Sequence, residues 1–402
     1  MKILIISNSL PFPPNTGEKI RNFNLIKRLS NHHKVSLVSL ITPEVEDSLI
    51  SELRKYCASV ETVVLKKRSK MSHLPGVIWC LLSGKPLDAT FTFLREMGEK
   101  IGRLEDDEHF DIIQIEHSFM APYIKAIPKN SSAKRVLVFH NIGFIQFMRM
   151  YKVEKNFYKR VRFLFNWIPM RRWEAHVAEN FDKCLATSSF DKRILQTINQ
   201  RLDIAVIPNG VDTQLHTPLP KAESARNLLY MGTMDYHPNI DAVLYFYKEI
   251  FPKIKKNISD CKLFIVGRRP PQAIRDLQRD KSVEVVGFVE NIQPFYEQSA
   301  VSIVPLRAAS GTRLKILESM ALGRPVVSTS VGCEGLNVAH KKNILVADNP
   351  SSFARNVTEL LTDSMLWQRI RNDARKFVEE NYSWDGIAEQ LLETYAETIT
   401  KK

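Results

Sequence analysis

The segment VSIVPLRAASGTRLKILESMALGRP, residues 301–325, holds a complete βα unit. Val301–Val304 is a short apolar run rich in β-branched residues, which predicts a buried strand. A polar loop follows, and Ile316–Leu322 is predicted to form a helix directly after it. Strand and helix patterns alternate in this way along the chain, which is typical of parallel sheets covered by helices on both faces. The sequence therefore predicts an α/β protein.

The strand candidates fall into two series, and each predicts one Rossmann-type sheet, as expected for a 402-residue chain that is too long for one core. The first series is Ile3–Ile6, Val35–Ile41, Ile112–Ile115, Val136–Phe139, Leu185–Thr187 and Ile204–Ile207; the second is Leu228–Met231, Leu263–Val266, Val283–Val286, Val301–Val304, Val326–Ser328 and Ile344–Val346. Between them lies Pro208–Ser224, whose prolines and turn residues predict a linker. Apolar spacing predicts an amphipathic helix over residues 240–254. Beyond Asn349 the chain is predicted to be helical, with a break near Ser383 and Trp384.

Composition excludes several classes of protein. The residues are 44% hydrophobic and 25% charged, which is typical of a globular protein rather than a disordered one. The longest apolar stretch, Leu74–Leu82, is interrupted by Pro75 and Gly76 and is too short to span a membrane. The first apolar residues predict a strand and not a signal peptide. Five scattered cysteines predict free thiols in a reducing cytosol.

The loop Ser310–Lys315 is a candidate anion site, because a helix N-terminus presents unpaired N–H groups and a positive dipole end. Gly311 allows close backbone approach, and Arg313 adds a cation beside Lys315. Glu318, one turn into the helix, could accept two hydrogen bonds from a ribose diol. A plain βα turn with a solvated arginine and lysine is the alternative.

Residues 311–327, G-T-R-L-K-I-L-E-S-M-A-L-G-R-P-V-V, closely resemble the donor-site signature of family 4 retaining glycosyltransferases of the GT-B fold. Further segments resemble the interdomain turn, the first strand of the second domain, the base-binding turn and the closing motif of that family: Val206–Asp212, Leu229–Gly232, Gly287–Val289 and Tyr382–Trp384. The resemblance implies two Rossmann-like domains whose parallel sheets face each other across a cleft. It places an acceptor domain at 1–222, a donor domain at 223–384, and a C-terminal helix, 385–402, that packs back on the first domain.

The resemblance also implies site residues. Catalytic roles fall to His140, Lys315 and Glu318. Donor-binding roles fall to Gly17, Arg268, Phe288, Val289, Gly311, Thr312, Arg313 and Leu314. Gly17 belongs to the loop Pro13–Glu18, which looks like the family's loop facing the donor phosphates; Asn15 and Glu18 also have the spacing of a plain helix cap. Glu116 and His117 end another strand and are expected to open into the same crevice, with His140 preferred to His117.

Two positions depart from the family pattern. The family commonly has two glutamates eight positions apart; Glu318 is the second, and Ser310 replaces the first, which leaves the sugar open. The family also places an arginine and a lysine after Gly232, and Thr233–Asn239 offers neither. We therefore expect Arg313, Lys315 and Arg268 to meet the diphosphate charge.

The predicted function is retaining transfer from a nucleoside-diphosphate sugar to a glycan or lipid-linked acceptor, in cell-surface polysaccharide or glycolipid synthesis. The protein is expected in the cytoplasm or peripherally on the inner face of the membrane. No Asp-x-Asp triplet occurs, so no metal is expected and the nucleotide sugar is the only co-substrate. A catalytically inactive GT-B shell that binds membrane or nucleic acid through basic residues is the alternative. A GT-B epimerase would need acidic residues that the sequence lacks.

Basic residues alternate with aromatic ones over residues 145–173, within a chain of net charge +13. Such a stretch suits an interface with anionic lipid or a nucleic-acid groove. It also suits a long helix packed on the first domain with a solvated basic face. An anionic membrane is the partner expected there, and nucleic acid is the less favoured one.

Overall fold

The computed structural model describes residues 1–65, 93–154, 156–220 and 226–401. The apolar stretch Leu74–Leu82, Lys155 of the basic stretch and residues 221–224 of the predicted linker lie outside the described residues. The chain divides into two compact units: unit 1 is Met1–Asn209 with Trp384–Lys402, and unit 2 is Gly210–Ser383.

Over the described residues of unit 1, seven parallel strands form one sheet. They are β1 (Lys2–Ser7), β2 (Lys34–Ile41), β3 (Ser59–Val64), β4 (Ile112–Glu116), β5 (Lys134–Phe139), β6 (Lys183–Ala186) and β7 (Ile204–Val206). Their order is β3-β2-β1-β4-β5-β6-β7. Strands β2 and β3 are thus added on one side of β1, and β4 to β7 on its other side, so the strand order reverses between β1 and β4. Sequence patterns predicted each of these strands except β3, which is an edge strand that pairs with β2 alone and is only partly buried.

The described helices of unit 1 that precede unit 2 are α1 (Gly17–Leu29), α2 (Asp47–Leu53), α3 (Arg95–Glu108), α4 (Gly143–Val153), α5 (Phe157–Val177) and α6 (Ser189–Ile198). A 3₁₀ segment, Ser118–Ala126, follows β4. The apolar residues of the central strands and of these helices form one buried core. That core fixes the carboxyl ends of β1, β4 and β5 side by side.

Over the described residues of unit 2, six parallel strands form the second sheet. They are β8 (Asn227–Met231), β9 (Leu263–Val266), β10 (Val283–Gly287), β11 (Ser299–Val304), β12 (Val326–Ser328) and β13 (Leu345–Val346). The order β10-β9-β8-β11-β12-β13 reverses between β8 and β11. The second predicted series is thereby confirmed strand by strand.

The helices of unit 2 are α7 (His237–Tyr245), α8 (Phe251–Asn257), α9 (Gln272–Arg275), α10 (Gln293–Glu297), α11 (Leu314–Ala321), α12 (Ser330–Cys333), α13 (Pro350–Thr362) and α14 (Ser364–Asn381). A π-helical turn, Phe246–Ile250, joins α7 to α8. Of the apolar face predicted over 240–254, Val243, Ile250, Phe251 and Ile254 are buried, and the other members are partly buried. The helix expected after the anion loop is α11.

Two arginines fix residues 210–220 to unit 2. Arg324 is fully buried and donates to the carbonyls of Leu219 (3.0 Å) and Pro220 (2.6 Å). Arg375 donates to the carbonyl of Thr213 (2.8 Å) and also to that of Ala321 (2.6 Å). Because buried carbonyls need donors, these bonds make the segment part of the unit and not a free connection.

The last helix, α15 (Trp384–Thr400), belongs to unit 1. It packs against α1, where Arg28 Nε lies 2.6 Å from Asp385 Oδ1. Its buried side chains include Trp384, Leu391 and Tyr395. Among the helices of the described ranges, none is both long and apolar enough to cross a membrane.

Candidate active site

Four titratable side chains of unit 1, which we call the histidine cluster, lie where the strand order reverses: Glu18, Glu116, His117 and His140. Glu18 lies in the first turn of α1, which follows β1. Glu116 ends β4 with His117 next to it, and His140 directly follows β5. Since β1, β4 and β5 are neighbours, their carboxyl ends bring these side chains together at the point where open α/β sheets bind ligands.

The cluster consists of two carboxylate–imidazole pairs. His140 Nε2 lies 2.5 Å from Glu116 Oε2, and His117 Nε2 lies 3.0 Å from Glu18 Oε2. The two imidazole rings are 4.3 Å apart between centroids. The structure therefore joins His140, which the sequence favoured, to both Glu116 and His117.

Charge is unevenly distributed in the cluster. Burial opposes ionisation of Glu18, but His117, with His140 and Lys19, outweighs it and lowers the Glu18 pKa to about 2. Burial, and then the neighbouring His117, lower the pKa of His140 against the opposite effect of Glu116 and Glu18. At neutral pH we expect an ionised Glu18 and a neutral His140.

Backbone geometry at His117 adds a constraint. His117 has φ 73°, a region that costs a non-glycine residue about 1–3 kcal/mol. Its N–H donates to the carbonyl of Val138 at 3.0 Å, which ties the turn after β4 to β5. Such strained positions concentrate at functional sites, which is consistent with a role for this turn.

Glu174, on α5, supports the turn that follows His140. Its carboxylate accepts the backbone N–H groups of Gly143 (2.9 Å) and Phe144 (3.2 Å) at the start of α4. Burial raises the Glu174 pKa to about 7. No sequence motif pointed to this residue, because none specifies how α5 packs against the start of α4.

In unit 2, Lys315 of α11 reaches the loop after β8. Its Nζ lies 3.2 Å from Asn239 Oδ1, 3.5 Å from Tyr230 Oη and 4.6 Å from the centre of the Tyr230 ring. A Cβ on Gly232 would lie 2.8 Å from this Nζ. The lysine thus places a cation beside Gly232, where the sequence alone offered none.

Burial and the adjacent Arg313 lower the Lys315 pKa to about 7. The Asn239 oxygen that faces Lys315 also accepts the Tyr230 hydroxyl at 2.8 Å, so its orientation is fixed. Neither Tyr230 nor Asn239 was predicted to contribute to the site. A family pattern restricted to arginine and lysine does not point to them.

Residues 310–313 form a closed turn before α11. Gly311 has φ 75°, which a glycine adopts without strain. Arg313 is buried, and its Nη1 donates to the carbonyl of Ser310 at 2.6 Å and to that of Gly311. The guanidinium therefore holds the turn from inside. Thr312 is partly buried, and Leu314 packs against the core of unit 2.

Glu318 lies one turn into α11 and is partly buried. Burial raises its pKa to about 7. Among the described residues, none donates a hydrogen bond to its carboxylate. The role predicted for Glu318, accepting hydrogen bonds from a ribose diol, stays a prediction.

The loops after β9 and β10 carry the other predicted donor residues. The Met234 N–H donates to the Arg268 carbonyl at 2.9 Å, so Arg268 adjoins the loop that Lys315 contacts. Arg268 Nε is buried and has no hydrogen-bond partner among the described residues. Phe288 is 66% exposed, whereas Val289 packs in a small apolar cluster beneath it. In unit 1, Gly17 is the exposed first residue of α1.

Comparison with known proteins agrees with this architecture. Residues 19–215 match the family model described as Glycosyltransferase Family 4, and residues 225–363 match the one described as Glycosyl transferases group 1. An uncharacterized 44.6 kDa protein in the cps region of Klebsiella pneumoniae is 20% identical over 394 residues, 95% of this chain and 96% of its own length.

Solved structures match over nearly the whole chain. Sucrose-phosphate synthase from Thermosynechococcus elongatus has a TM-score of 0.75 at 18% identity, covering 99% of this chain and 98% of its own. Anabaena HepE in complex with UDP and glucose has a TM-score of 0.66 at 15% identity, covering 99% and 100%. These likenesses show the same fold.

Proposed function

Since the chain belongs to glycosyltransferase family 4 and has the GT-B fold, we propose that it transfers a sugar, with retention of anomeric configuration, from a nucleoside-diphosphate sugar to a glycan or lipid-linked acceptor. The observation that carries the proposal is the position of Lys315. Its ammonium group lies beside the backbone at Gly232, next to the N-terminus of α11. A diphosphate placed there would meet the lysine and the positive dipole end of α11 together.

The donor diphosphate is the leaving group, and transfer becomes easier as its developing charge is stabilised by preorganised donors. Lys315 and the backbone of residues 312–314 supply that stabilisation in unit 2. Arg268, whose buried Nε has no hydrogen-bond partner among the described residues, is the second cation we assign to the phosphates. Arg313 acts indirectly, since it holds the turn Ser310–Gly311 in shape.

Glu318 is assigned to the ribose hydroxyls, because its carboxylate accepts no hydrogen bond from the described residues. The exposed ring of Phe288, above Val289, is assigned to the base. UDP-sugars are the first donors to assay, because HepE was solved with UDP and glucose.

In the reaction that the family implies, the bond from the anomeric carbon to the diphosphate breaks as the acceptor oxygen attacks from the same face. The acceptor proton passes to the departing phosphate oxygen. His140 positions the sugar or the acceptor through its free ring nitrogen. Among the described residues no group of three His, Cys, Asp or Glu side chains is arranged to hold a metal ion, and no Asp-x-Asp triplet occurs in the sequence. We propose that protein cations act on the diphosphate, and unchanged turnover in a chelator checks this.

The relative encoded in a cps region supports a role in surface polysaccharide synthesis. The assay follows release of the nucleoside diphosphate from a panel of nucleotide sugars. A thermal-shift screen of nucleoside diphosphates against wild type and Glu318→Ala measures binding apart from turnover. We expect one base to stabilise the wild type and to lose that effect in the variant. Binding without turnover would favour the inactive binding shell. The absence of both binding and turnover would refute the donor site.

A membrane surface is the second part of the proposal, and the turn from α4 to α5 supports it. Phe157 and Tyr158 are 72% and 83% exposed at the start of α5. Arg160 and Arg162 are exposed in the next turn, whereas Phe163 is buried in unit 1. One face of α5 thus packs on unit 1, which was one of the alternatives for this stretch. The other face presents aromatic and basic groups suited to anionic lipid. The proposed location is the cytoplasmic face of the membrane.

Sedimentation with vesicles tests this surface. Replacing both Arg160 and Arg162 with Glu should weaken binding to anionic vesicles at least about tenfold, since each basic residue contributes about 1 kcal/mol. The same change at Arg171 and Arg172, which are exposed farther along α5, is the matched control. Equal loss in both variants would indicate a diffuse charge effect, and unchanged binding in the first would refute the surface.

A further inference from the structure

A chain of buried hydrogen bonds runs from α15 to His140. Tyr395 Oη lies 2.5 Å from Gln114 Oε1, and Gln114 Nε2 lies 2.6 Å from Glu116 Oε1. Glu116 Oε2 then lies 2.5 Å from His140 Nε2. Tyr395, Gln114 and Glu116 are all at most 3% exposed. The last helix of the chain thereby reaches the histidine cluster through the middle of the sheet.

Donor and acceptor chemistry fixes the direction of each bond. Burial, and then the nearby Glu116, raise the Tyr395 pKa, so its hydroxyl is protonated and donates to the Gln114 oxygen. The Gln114 amide must then turn its NH₂ toward Glu116. An ionised carboxylate only accepts, so His140 Nε2 must carry a proton. A neutral His140 is left with Nδ1 as an acceptor.

We propose that Tyr395, Gln114 and Glu116 are positioning residues that hold His140 in the Nε2–H tautomer, so that Nδ1 accepts a hydrogen bond from a hydroxyl of the sugar or acceptor. This rests on the proposed function only for the identity of the hydroxyl. Burying a carboxylate and an amide is costly, and the other residues of β4, Ile112, Ile113 and Ile115, are apolar. A purely structural strand would not need the polar pair.

The charged groups around this chain come from two elements. Glu18 and the buried Arg21 face it from α1, and His117 from the turn after β4. Arg21 is held by the carbonyl of Pro208 at 2.6 Å and by Asn209 Oδ1 at 3.0 Å. Because burial, and then His117, lower the His140 pKa, we expect a neutral ring near pH 7, and its tautomer then decides what it can offer a ligand.

The test is ¹⁵N NMR of the histidine rings in the full chain, combined with kinetics. In the wild type we expect a protonated Nε2 and an unprotonated Nδ1 on His140. Glu116→Gln keeps the shape, but the new amide would accept from Gln114 and donate to Nε2, which moves the proton to Nδ1. We expect this inversion to lower kcat about 10²-fold or more with donor KM little changed, because the histidine presents the wrong tautomer.

Tyr395→Phe removes one hydroxyl and keeps the ring packing of α15. Loss of one neutral hydrogen bond should lower kcat by up to about tenfold and broaden or shift the His140 signals. Tyr123→Phe is the matched control: Tyr123 is also buried in unit 1, but its hydroxyl accepts the Leu94 N–H at 2.8 Å and is not a member of the chain to His140, so the His140 signals should not change.

The outcomes separate this inference from the proposed function. A protonated Nε2 that inverts in Glu116→Gln supports the tautomer even if no donor is turned over. An unprotonated Nε2 in the wild type, or signals unmoved by both Glu116→Gln and Tyr395→Phe, would overturn it whatever the activity. If Glu116→Gln fails to fold, the inference is tested by the His140 tautomer of the wild type and by the His140 signals of Tyr395→Phe.

Discussion

The pH dependence of donor binding is the sharpest consequence of the site in unit 2. Lys315 and Glu318 both have a pKa of about 7, the lysine lowered by burial and Arg313, the glutamate raised by burial. A nucleoside-diphosphate sugar binds best to a charged lysine and an ionised glutamate. If the two groups titrate independently, only about a quarter of the molecules have both charges at pH 7.

Binding should therefore follow a bell-shaped curve with its maximum near pH 7. Above it, the lysine must take up a proton to bind the diphosphate, so Kd rises up to about tenfold per pH unit. Below it, the glutamate must release a proton to accept the ribose hydroxyls, and Kd rises again. Nucleotide sugars are the right ligands, because their diphosphate does not titrate in this range.

Isothermal titration calorimetry in two buffers of different ionisation enthalpy measures both Kd and the protons exchanged. Lys315→Met should abolish the alkaline limb and weaken binding about 10- to 100-fold at pH 7, since a hydrogen bond to a charged group contributes about 1.5–3 kcal/mol. Glu318→Gln should abolish the acidic limb alone. A flat profile in the wild type, or an alkaline limb that persists in Lys315→Met, would refute the assignment.

Three further predictions concern packing and buried polar groups. Gly232→Ala should weaken donor binding, since its Cβ would lie 2.8 Å from Lys315 Nζ and 2.9 Å from Asn239 Nδ2 and would displace both side chains; the same calorimetry measures it. Glu174 has a folded-state pKa raised to about 7, so urea titrations should show stability falling as pH rises from about 4.5 to 7; Glu174→Gln should reduce this slope, and Glu318, whose pKa is raised alike, should keep the remainder. Arg324→Met should lower the free energy of unfolding by about 3 kcal/mol or more, because it leaves several buried carbonyls unpaired.

Much of the fold follows from local sequence pattern. Strands buried on both faces read as continuous apolar runs, which is why β9 and β12 were predicted to the residue. β3 was missed for the opposite reason: it is an edge strand in which only Val60 and Val63 are buried, and it includes Glu61. The π-helical turn after α7 was also not predicted, since the apolar spacing of 240–254 fits an unbroken α-helix.

The positions of the site residues along the chain were predictable, but the orientations of their side chains were less so. The motif after Gly311 located Lys315 and Glu318, but the inward turn of Arg313 depends on the geometry of its own loop. Strand order is equally hidden in the sequence. Glu116 and His140 are in contact because β4 and β5 are neighbours, and no local sequence pattern predicts that pairing.

The return of α15 to unit 1 also orders events during synthesis. Residues 384–401 leave the ribosome only after the whole of unit 2 has been made, so Tyr395 reaches Gln114 last. At a translation rate of about 5–20 residues per second, the first unit is without its last helix for roughly ten to forty seconds. During that time Gln114 and Glu116, which are buried in the complete chain, remain accessible to water. A circular permutant that begins at Trp384 would remove that delay, and the enzyme's hydrogen-bonded core would then close before its second half exists.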